Sequence, residues 1–188
     1  MRHAGFAALF VALALFGCAS APPLGSEPPV LADRAFETQG RLTARHGADA
    51  VSANFRWTHA PPKDALELST PLGQMVAELT GDAAAHIAQV RLSDGRTLQA
   101  SDWATLTQRA LGFPLPVTGL ASWIRGGAHP GSPYRSETDA HGRTTLLRQD
   151  AWEILFDYGD DASDTPVRMR MSYPDVEVRI ALDAPLAR

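Results

Sequence analysis

The side chains of this chain that could carry chemistry are 21 acidic residues, six histidines and one cysteine. The histidines are His3, His46, His59, His86, His129 and His141. No two of them stand three or four residues apart and none lies in an H-E-x-x-H motif, so the sequence predicts no metal site. Most fall in or beside predicted turns, which favours solvated imidazoles. No cofactor is expected.

The acidic residues do not form a recognisable catalytic motif. Asp160, Asp161 and Asp164 cluster in a polar loop, where a solvated loop tip is the main interpretation and a calcium site the alternative. The sequence has no G-x-S-x-G elbow, no P-loop and no G-x-G-x-x-G motif, and Gly126-Gly127 is interpreted as a helix stop. We expect a protein that is not an enzyme, although carboxylates brought together by the fold stay possible.

Cys18 ends an apolar N-terminal segment. The run Ala4–Phe16 is shorter than the roughly 20 residues of a membrane-spanning helix and fits a signal peptide. The residues Leu15-Phe16-Gly17-Cys18 resemble a bacterial lipobox, which implies cleavage of residues 1–17 and acylation of Cys18. Cleavage after Ala21, as in ordinary secretion, is the alternative. Aspartate directly after the cysteine would resemble an inner-membrane retention signal. This chain has Ala19 there, which favours the outer membrane.

The rest of the chain is predicted to be a tether followed by one domain. Residues 18–29 hold the acylated cysteine and a proline-rich tether, and residues 30–188 are long enough for a single domain. The net charge of −4 leaves no basic surplus, which argues against nucleic acid as a partner. One cysteine also excludes an internal disulfide framework.

Strict alternation of apolar and polar residues predicts a mainly β domain. The predicted strands cover residues 38–45, 51–57, 65–70, 74–80, 87–92, 144–149, 152–158, 167–173 and 176–182. Short turns between them require antiparallel neighbours, and one apolar face per strand indicates a sheet with a single dry side. Two helices are predicted, within Ser101–Gly112 and Thr118–Gly126, and a third, short helix near Val30–Phe36.

The turn Thr70-Pro71-Leu72-Gly73 places a leucine where turn residues are usually solvated. Either Leu72 folds back into the core, which general considerations favour, or it is left exposed for use. Four tryptophans and several methionines suit an irregular apolar interior.

These segments together resemble the LolB family of outer-membrane lipoprotein receptors. The resemblance rests on Gly40–Leu42, Asn54–Trp57, Leu66–Gly73, Asp94–Arg96, Leu111–Pro116, Leu120–Gly126, Gln149–Trp152 and Pro166, in that order behind a lipobox. It extends over about residues 36–182.

The resemblance implies an unclosed antiparallel β-barrel of about eleven strands, with a helical lid over a hydrophobic cavity. It also implies a lipid-anchored domain at the outer membrane, facing the periplasm, that accepts acylated lipoproteins from the carrier LolA and inserts them into the outer membrane without nucleotide hydrolysis. Leu72, flanked by Pro71 and Gly73, matches the leucine that enters the bilayer in this family, which reverses the expectation of a core position. We expect a monomer whose partners are LolA, the cargo and outer-membrane lipid.

Alternation assigns the residues expected inside the barrel. The acyl-chain cavity is predicted to be lined by Phe55, Trp57, Leu68, Met75, Trp152, Ile154, Val178 and Ile180, and the lid to contribute Leu111, Trp123 and Ile124. Two other functions stay open. The protein could bind another amphiphile or act as an assembly scaffold, or, with an ionisable pair inside the pocket, be an envelope hydrolase.

Overall fold

The computed structural model describes residues 30–160, 162–184 and 186. The predicted signal peptide, Cys18 and the tether lie outside these residues, as does Asp161 of the acidic loop.

The described residues form one antiparallel sheet of eleven strands and two helices. The strands are β1 (Phe36–His46), β2 (Asp49–Ala60), β3 (Lys63–Ser69), β4 (Met75–Asp82), β5 (Ile87–Leu92), β6 (Thr97–Ala100), β7 (Tyr134–Thr138), β8 (Thr144–Gln149), β9 (Trp152–Asp157), β10 (Arg168–Tyr173) and β11 (Val176–Leu182). Their order is β6-β5-β4-β3-β2-β1-β11-β10-β9-β8-β7, so the sheet ends in two edges, β6 and β7, that do not pair with each other. The prediction of an unclosed sheet of about eleven antiparallel strands is confirmed.

The predicted alternation holds along the central strands. In β2, Ala53, Phe55 and Trp57 are buried, whereas Asn54 and Arg56 between them are half-buried and exposed, respectively. Neighbouring strands keep this register, because Phe55 lies opposite Gly40 on β1 and Leu68 on β3. Residues opposite one another share a face, so the sheet has one apolar side and one polar side.

The two helices connect the two edges of the sheet. Helix α1 (Trp103–Leu111) lies within the predicted range and begins after Asp102, whose carboxylate accepts a hydrogen bond from the Thr105 amide at 2.8 Å. A Cβ at Gly81 would lie 2.5 Å from the Trp103 ring, so only glycine allows the indole to pack against β4. Helix α2 (Val117–Trp123) begins after Pro116, one residue before the start of the predicted range Thr118–Gly126.

Three local predictions were wrong. Residues 31–35 form no helix; the amide of Leu31 instead donates to the Ala128 carbonyl at 3.1 Å, next to a bridge between Val30 and Ala128. Strands β6 and β7 were missed, because each is a short edge strand of four or five residues that contains no fully buried side chain.

Candidate functional site

An apolar cavity of about 370 Å³ lies between the concave side of the sheet and the helices. Its wall comes from β1, β2, β3, β4 and β11, and its cover from α1, α2 and the segment between them. The apolar side chains that line it include Leu42, Ala44, Phe55, Trp57, Leu66, Leu68, Leu79, Phe113, Leu115, Val117, Leu120, Ile124, Val178 and Ile180. Two buried polar groups in the lining are already hydrogen-bonded: the Trp57 nitrogen donates to Asp64 Oδ1 at 2.8 Å, and the Thr107 hydroxyl donates to the Trp103 carbonyl at 2.8 Å. The cavity is therefore suited to a ligand that is itself hydrocarbon.

Five of the eight residues predicted for the cavity line it: Phe55, Trp57, Leu68, Val178 and Ile180. Trp152 and Ile154 face the same side of the sheet but lie outside the cavity wall. They are 2% and 0% exposed and belong to the packed core, where Trp152 stacks beside Tyr173 with ring centroids 5.1 Å apart. Alternation places a residue on a face of the sheet, but it does not say whether other side chains or empty space lie against it.

Met75 lies outside the cavity because of a β-bulge. Leu68 pairs with Ala77, but Ser69 pairs with Met75, so Val76 is the extra residue on β4. Since a one-residue slip inverts the face of a strand, Met75 shares the polar outer face with Ser69, and its side chain is 53% exposed.

The predicted lid residues divide into two groups. Leu111 and Ile124 line the cavity, whereas Trp123 is fully buried behind it, where its indole nitrogen donates to Gln149 Oε1 at 2.8 Å. The Gln149 amide nitrogen donates in turn to the carbonyl of His129 at 2.9 Å. Trp123 therefore fixes α2 to β8. The sequence reasoning missed Phe113, Leu115 and Leu120 as lining residues, although they stand in the segments that carry the family resemblance.

The cavity reaches solvent at the end of the sheet that carries the β1–β2 hairpin. His46, Asp49 and Val51 of this hairpin line it, together with Leu111 of α1. Val51 is 59% exposed and Leu111 is 49% exposed. Two apolar side chains thus flank the opening.

The turn of residues 70–74 projects a leucine into solvent. The Leu72 side chain is 90% exposed, which agrees with the resemblance and not with a core position. The turn is braced, because the Gly73 amide donates to the Thr70 carbonyl at 2.9 Å and the Thr70 amide donates to the Gln74 carbonyl at 2.8 Å. Gly73 has a φ of 84°, a conformation that glycine adopts without strain. Leu72 is therefore held exposed on a defined turn, which we call the 70–74 loop.

The 70–74 loop and the cavity opening lie at the same end of the sheet. Strand β3 runs antiparallel to β2, so Ser69 lies opposite Asn54, toward the Asp49 end of β2. The Asn54 side chain also donates to the Thr70 carbonyl at 3.4 Å. A molecule leaving the cavity would therefore emerge at the end that carries Leu72.

A buried charge network lies at the opposite end of β2. The imidazole of His59 is 5% exposed and contacts Asp64 and Asp33, each at 2.7 Å. Burial acts to lower the pKa of His59, but hydrogen bonds and charge attraction from the two carboxylates outweigh it and raise the pKa. The prediction of solvated histidines is wrong for His59. Because Asp33 precedes β1, the network ties the N-terminal segment to the sheet.

The described residues contain no group of three or more His, Cys, Asp or Glu side chains arranged to hold a metal ion. Within the same ranges, no helix has the length and apolarity needed to cross a membrane.

Residues 34–184 match the model of a family described as "Outer membrane lipoprotein LolB". Among curated proteins, the chain is 36% identical to the outer-membrane lipoprotein LolB of Chromobacterium violaceum, over 94% of this chain and 95% of that protein. It is 36% identical to the protein of the same name from Thiobacillus denitrificans, over 93% of this chain and 92% of that one. The corresponding protein of Azoarcus sp. is 32% identical over 92% and 90% of the two chains.

Proposed function

The chain belongs to the LolB family of outer-membrane lipoproteins, which acts in lipoprotein localisation, and from this membership we propose that it receives acylated lipoproteins in its apolar cavity and inserts them into the outer membrane. The donor in this proposal is the periplasmic carrier LolA. The observation that supports the proposal most directly is the largely apolar cavity, which opens toward the same end of the sheet as the 70–74 loop.

A cavity of this kind addresses the main physical obstacle to lipoprotein transfer. Each CH₂ group exposed to water costs about 0.8 kcal/mol, so a sixteen-carbon chain costs on the order of 12 kcal/mol. A lipoprotein can cross an aqueous compartment at a useful rate only if a protein covers its acyl chains. The lining residues offer that cover, and because the buried Trp57 nitrogen and Thr107 hydroxyl are already hydrogen-bonded within the protein, an acyl chain beside them leaves neither without a partner.

Transfer needs no nucleotide when free energy falls at each step. An acyl chain moves from one apolar cavity to a second that binds it more tightly, and then into the bilayer. The sequence has no P-loop, which agrees with a passive relay. The protein acts as a receptor in this proposal and not as an enzyme.

The 70–74 loop supplies the contact with the bilayer. Leu72 is the most exposed large hydrophobic side chain among the described residues, and Met75 and Val76 beside it are 53% and 39% exposed. We infer that these side chains enter the hydrocarbon region of the membrane while the cargo leaves the adjacent opening. Acylated Cys18, after cleavage of residues 1–17, anchors the chain, and residues 18–29 tether a monomeric domain of residues 30–188 on the periplasmic side.

Photocrosslinking tests the cavity assignment at single-residue resolution. A cargo lipoprotein with a photoreactive group near the end of one acyl chain is loaded onto the protein and irradiated. We expect label on Val178 and Ile180, which line the cavity, and not on Arg179 between them, which lies on the opposite face. Equal labelling of the three residues would mean that the chain is bound outside the cavity. Labelling by an unrelated amphiphile in preference to the lipoprotein would favour the alternative binding function.

A further inference from the structure

A second, polar groove of about 650 Å³ lies on the outer face of the sheet, directly beside the 70–74 loop. Pro71, Gly73 and Met75 form its upper wall, and its floor consists of outward-facing residues of β1, β2 and β3. The cavity described above lies on the other side of the same strands.

The floor of this groove is arranged in two rows across the strands. In the row nearest the loop, Arg41 lies opposite Asn54, which lies opposite Ser69. In the next row, Gln39 lies opposite Arg56, which lies opposite Glu67, and the Gln39 side chain donates to Asp183 at 3.1 Å. The formal charge is therefore +1 in the row beside the loop, from Arg41, and −1 in the row below it, where Glu67 and Asp183 outweigh Arg56.

Arg41 and Glu67, the charged groups to which the proposal assigns the ligand's phosphate and cation, are free to take a ligand. Within the described part of the chain, neither Arg41 nor Glu67 makes a hydrogen bond or ion pair through its side chain, and both are exposed. Arg168 and Arg179, on the same face, are by contrast paired with Asp157 and Glu177.

The distance between the two rows, measured along the strands, matches the thickness of the headgroup region of a membrane. The headgroup region adds about 5–8 Å to each side of the hydrocarbon core. Successive outward residues of a strand are about 6.6–6.8 Å apart, which sets the distance between the rows. Leu72 is three residues beyond Ser69, so it reaches at most about 10 Å past the first row. When Leu72 enters the hydrocarbon, the row of Arg41 lies at headgroup level and the row of Glu67 lies farther from the bilayer.

We propose that this groove binds the headgroup of a zwitterionic phospholipid, with the phosphate on Arg41, Asn54 and Ser69 and the cationic end near Glu67 and Asp183. The order of charges in the groove is that of such a headgroup, in which the phosphate lies between the hydrocarbon and the cation. The proposal rests on the proposed function, because it requires the 70–74 loop to enter the membrane. It adds a lipid site that fixes the depth and orientation of the loop.

The test uses the acylated full-length chain, reconstituted in vesicles, with a fluorescent probe that reports bilayer entry. Since Cys18 is the only cysteine and is acylated in this proposal, Gln74→Cys provides a single free thiol for the probe on the loop. The vesicles consist of phosphatidylcholine, of phosphatidylglycerol, or of a phosphate-free galactolipid. Arg41→Gln and Glu67→Gln are compared with Arg170→Gln, which removes an exposed outer-face arginine of β10, distant from the loop.

In phosphatidylcholine, Arg41→Gln should lower the ratio of inserted to free loop about tenfold, the effect of losing a charge-assisted hydrogen bond to the phosphate. Glu67→Gln should lower the ratio in phosphatidylcholine but not in phosphatidylglycerol, and Arg170→Gln should leave it unchanged. The wild-type loop should enter phosphatidylcholine more readily than either other vesicle.

Two results would contradict the headgroup site and leave the proposed function intact. One is equal insertion into galactolipid and phosphatidylcholine, and the other is a loss with Arg170→Gln as large as that with Arg41→Gln, which would indicate diffuse charge attraction. If the wild-type loop enters none of the vesicles, the membrane role of Leu72 in the proposed function fails as well. Unchanged thermal unfolding of each variant confirms that the domain is folded.

Discussion

The imidazole of His46, at the end of β1, packs edge-on against the phenyl ring of Phe113, with the ring centroids 5.7 Å apart. His46 belongs to the sheet and Phe113 to the segment between the two helices, so this contact joins the lid to the wall at the cavity opening. It is one of the contacts that hold the lid against the sheet.

Replacing His46 with alanine should loosen the lid without unfolding the sheet. Such aromatic contacts contribute about 0.5–1.5 kcal/mol. We expect the amides of residues 112–120 to exchange with deuterium several-fold faster in His46→Ala, while exchange in β9 and β10 is unchanged. Hydrogen exchange followed by mass spectrometry measures both regions in one experiment. If amide exchange becomes faster by the same factor in all of these regions, or does not change in any of them, this contact does not hold the lid.

Filling the cavity should abolish acyl-chain binding and preserve the fold. Ala44 lies opposite Val51 on β2 and Val178 on β11 and faces the cavity. The indole of Ala44→Trp would occupy the space proposed for the acyl chain, so we expect at least about a tenfold loss of affinity for a fluorescent fatty acyl ligand. Thr43→Trp, on the opposite face of the same strand, is the matched control. Equal affinities of the two variants would contradict the cavity assignment.

Leu72→Glu should separate acceptance of cargo from delivery. The side chain is 90% exposed and contributes little to the core, so the variant should unfold at the wild-type temperature and accept cargo normally. A carboxylate at this position opposes entry into hydrocarbon, and insertion of cargo into liposomes should fall by tenfold or more. Leu155→Glu, at a 43% exposed leucine of the outer face, controls for the charge. Normal delivery by Leu72→Glu would show that the loop assignment is wrong.

The His59 network predicts a specific dependence of stability on pH. Because Asp64 and Asp33 raise the pKa of His59 in the folded state, its protonated form stabilises the fold. That contribution is fully present below the unfolded-state pKa of about 6.5 and is lost as the pH rises through the higher folded-state value. Asp33→Asn removes one of the two carboxylates that contact His59, so the free energy of unfolding should fall less as the pH rises.

Urea unfolding at a pH near 6 and again at a pH near 8.5 measures this effect. The wild-type protein should lose more unfolding free energy between the two pH values than Asp33→Asn, and Asp49→Asn, at the other end of β2, should behave like wild type. An identical pH dependence in wild type and Asp33→Asn would show that the contact with Asp33 does not set the pKa.

The sequence predicted those parts of the fold that depend on local periodicity. Alternation in β2 and β11 correctly placed Phe55, Trp57, Val178 and Ile180 on the apolar face, because two-residue periodicity follows directly from strand geometry. It failed at Met75, where one extra residue in β4 changes the face and leaves no mark in the pattern of side chains. It also failed for the edge strand β6, which is too short to show a period.

Tertiary contacts account for the remaining differences. Nothing near His59 in the sequence shows that Asp33, 26 residues earlier, lies against its ring. Trp152 and Ile154 have the same pattern as the residues of the cavity wall, yet they meet packed side chains. The exposure of Leu72 could not be decided from the turn motif alone and was expected only from the family resemblance.

Transfer of cargo from a loaded carrier tests the central claim most directly. The chain is produced from Ser20 onward, without its anchor, and mixed with LolA that already holds a labelled lipoprotein. We predict that the label co-purifies with this domain, and that Ala44→Trp leaves the label on LolA whereas Thr43→Trp does not. If the label stays on a competent carrier in the presence of the wild-type domain, the protein is not a receptor for that cargo.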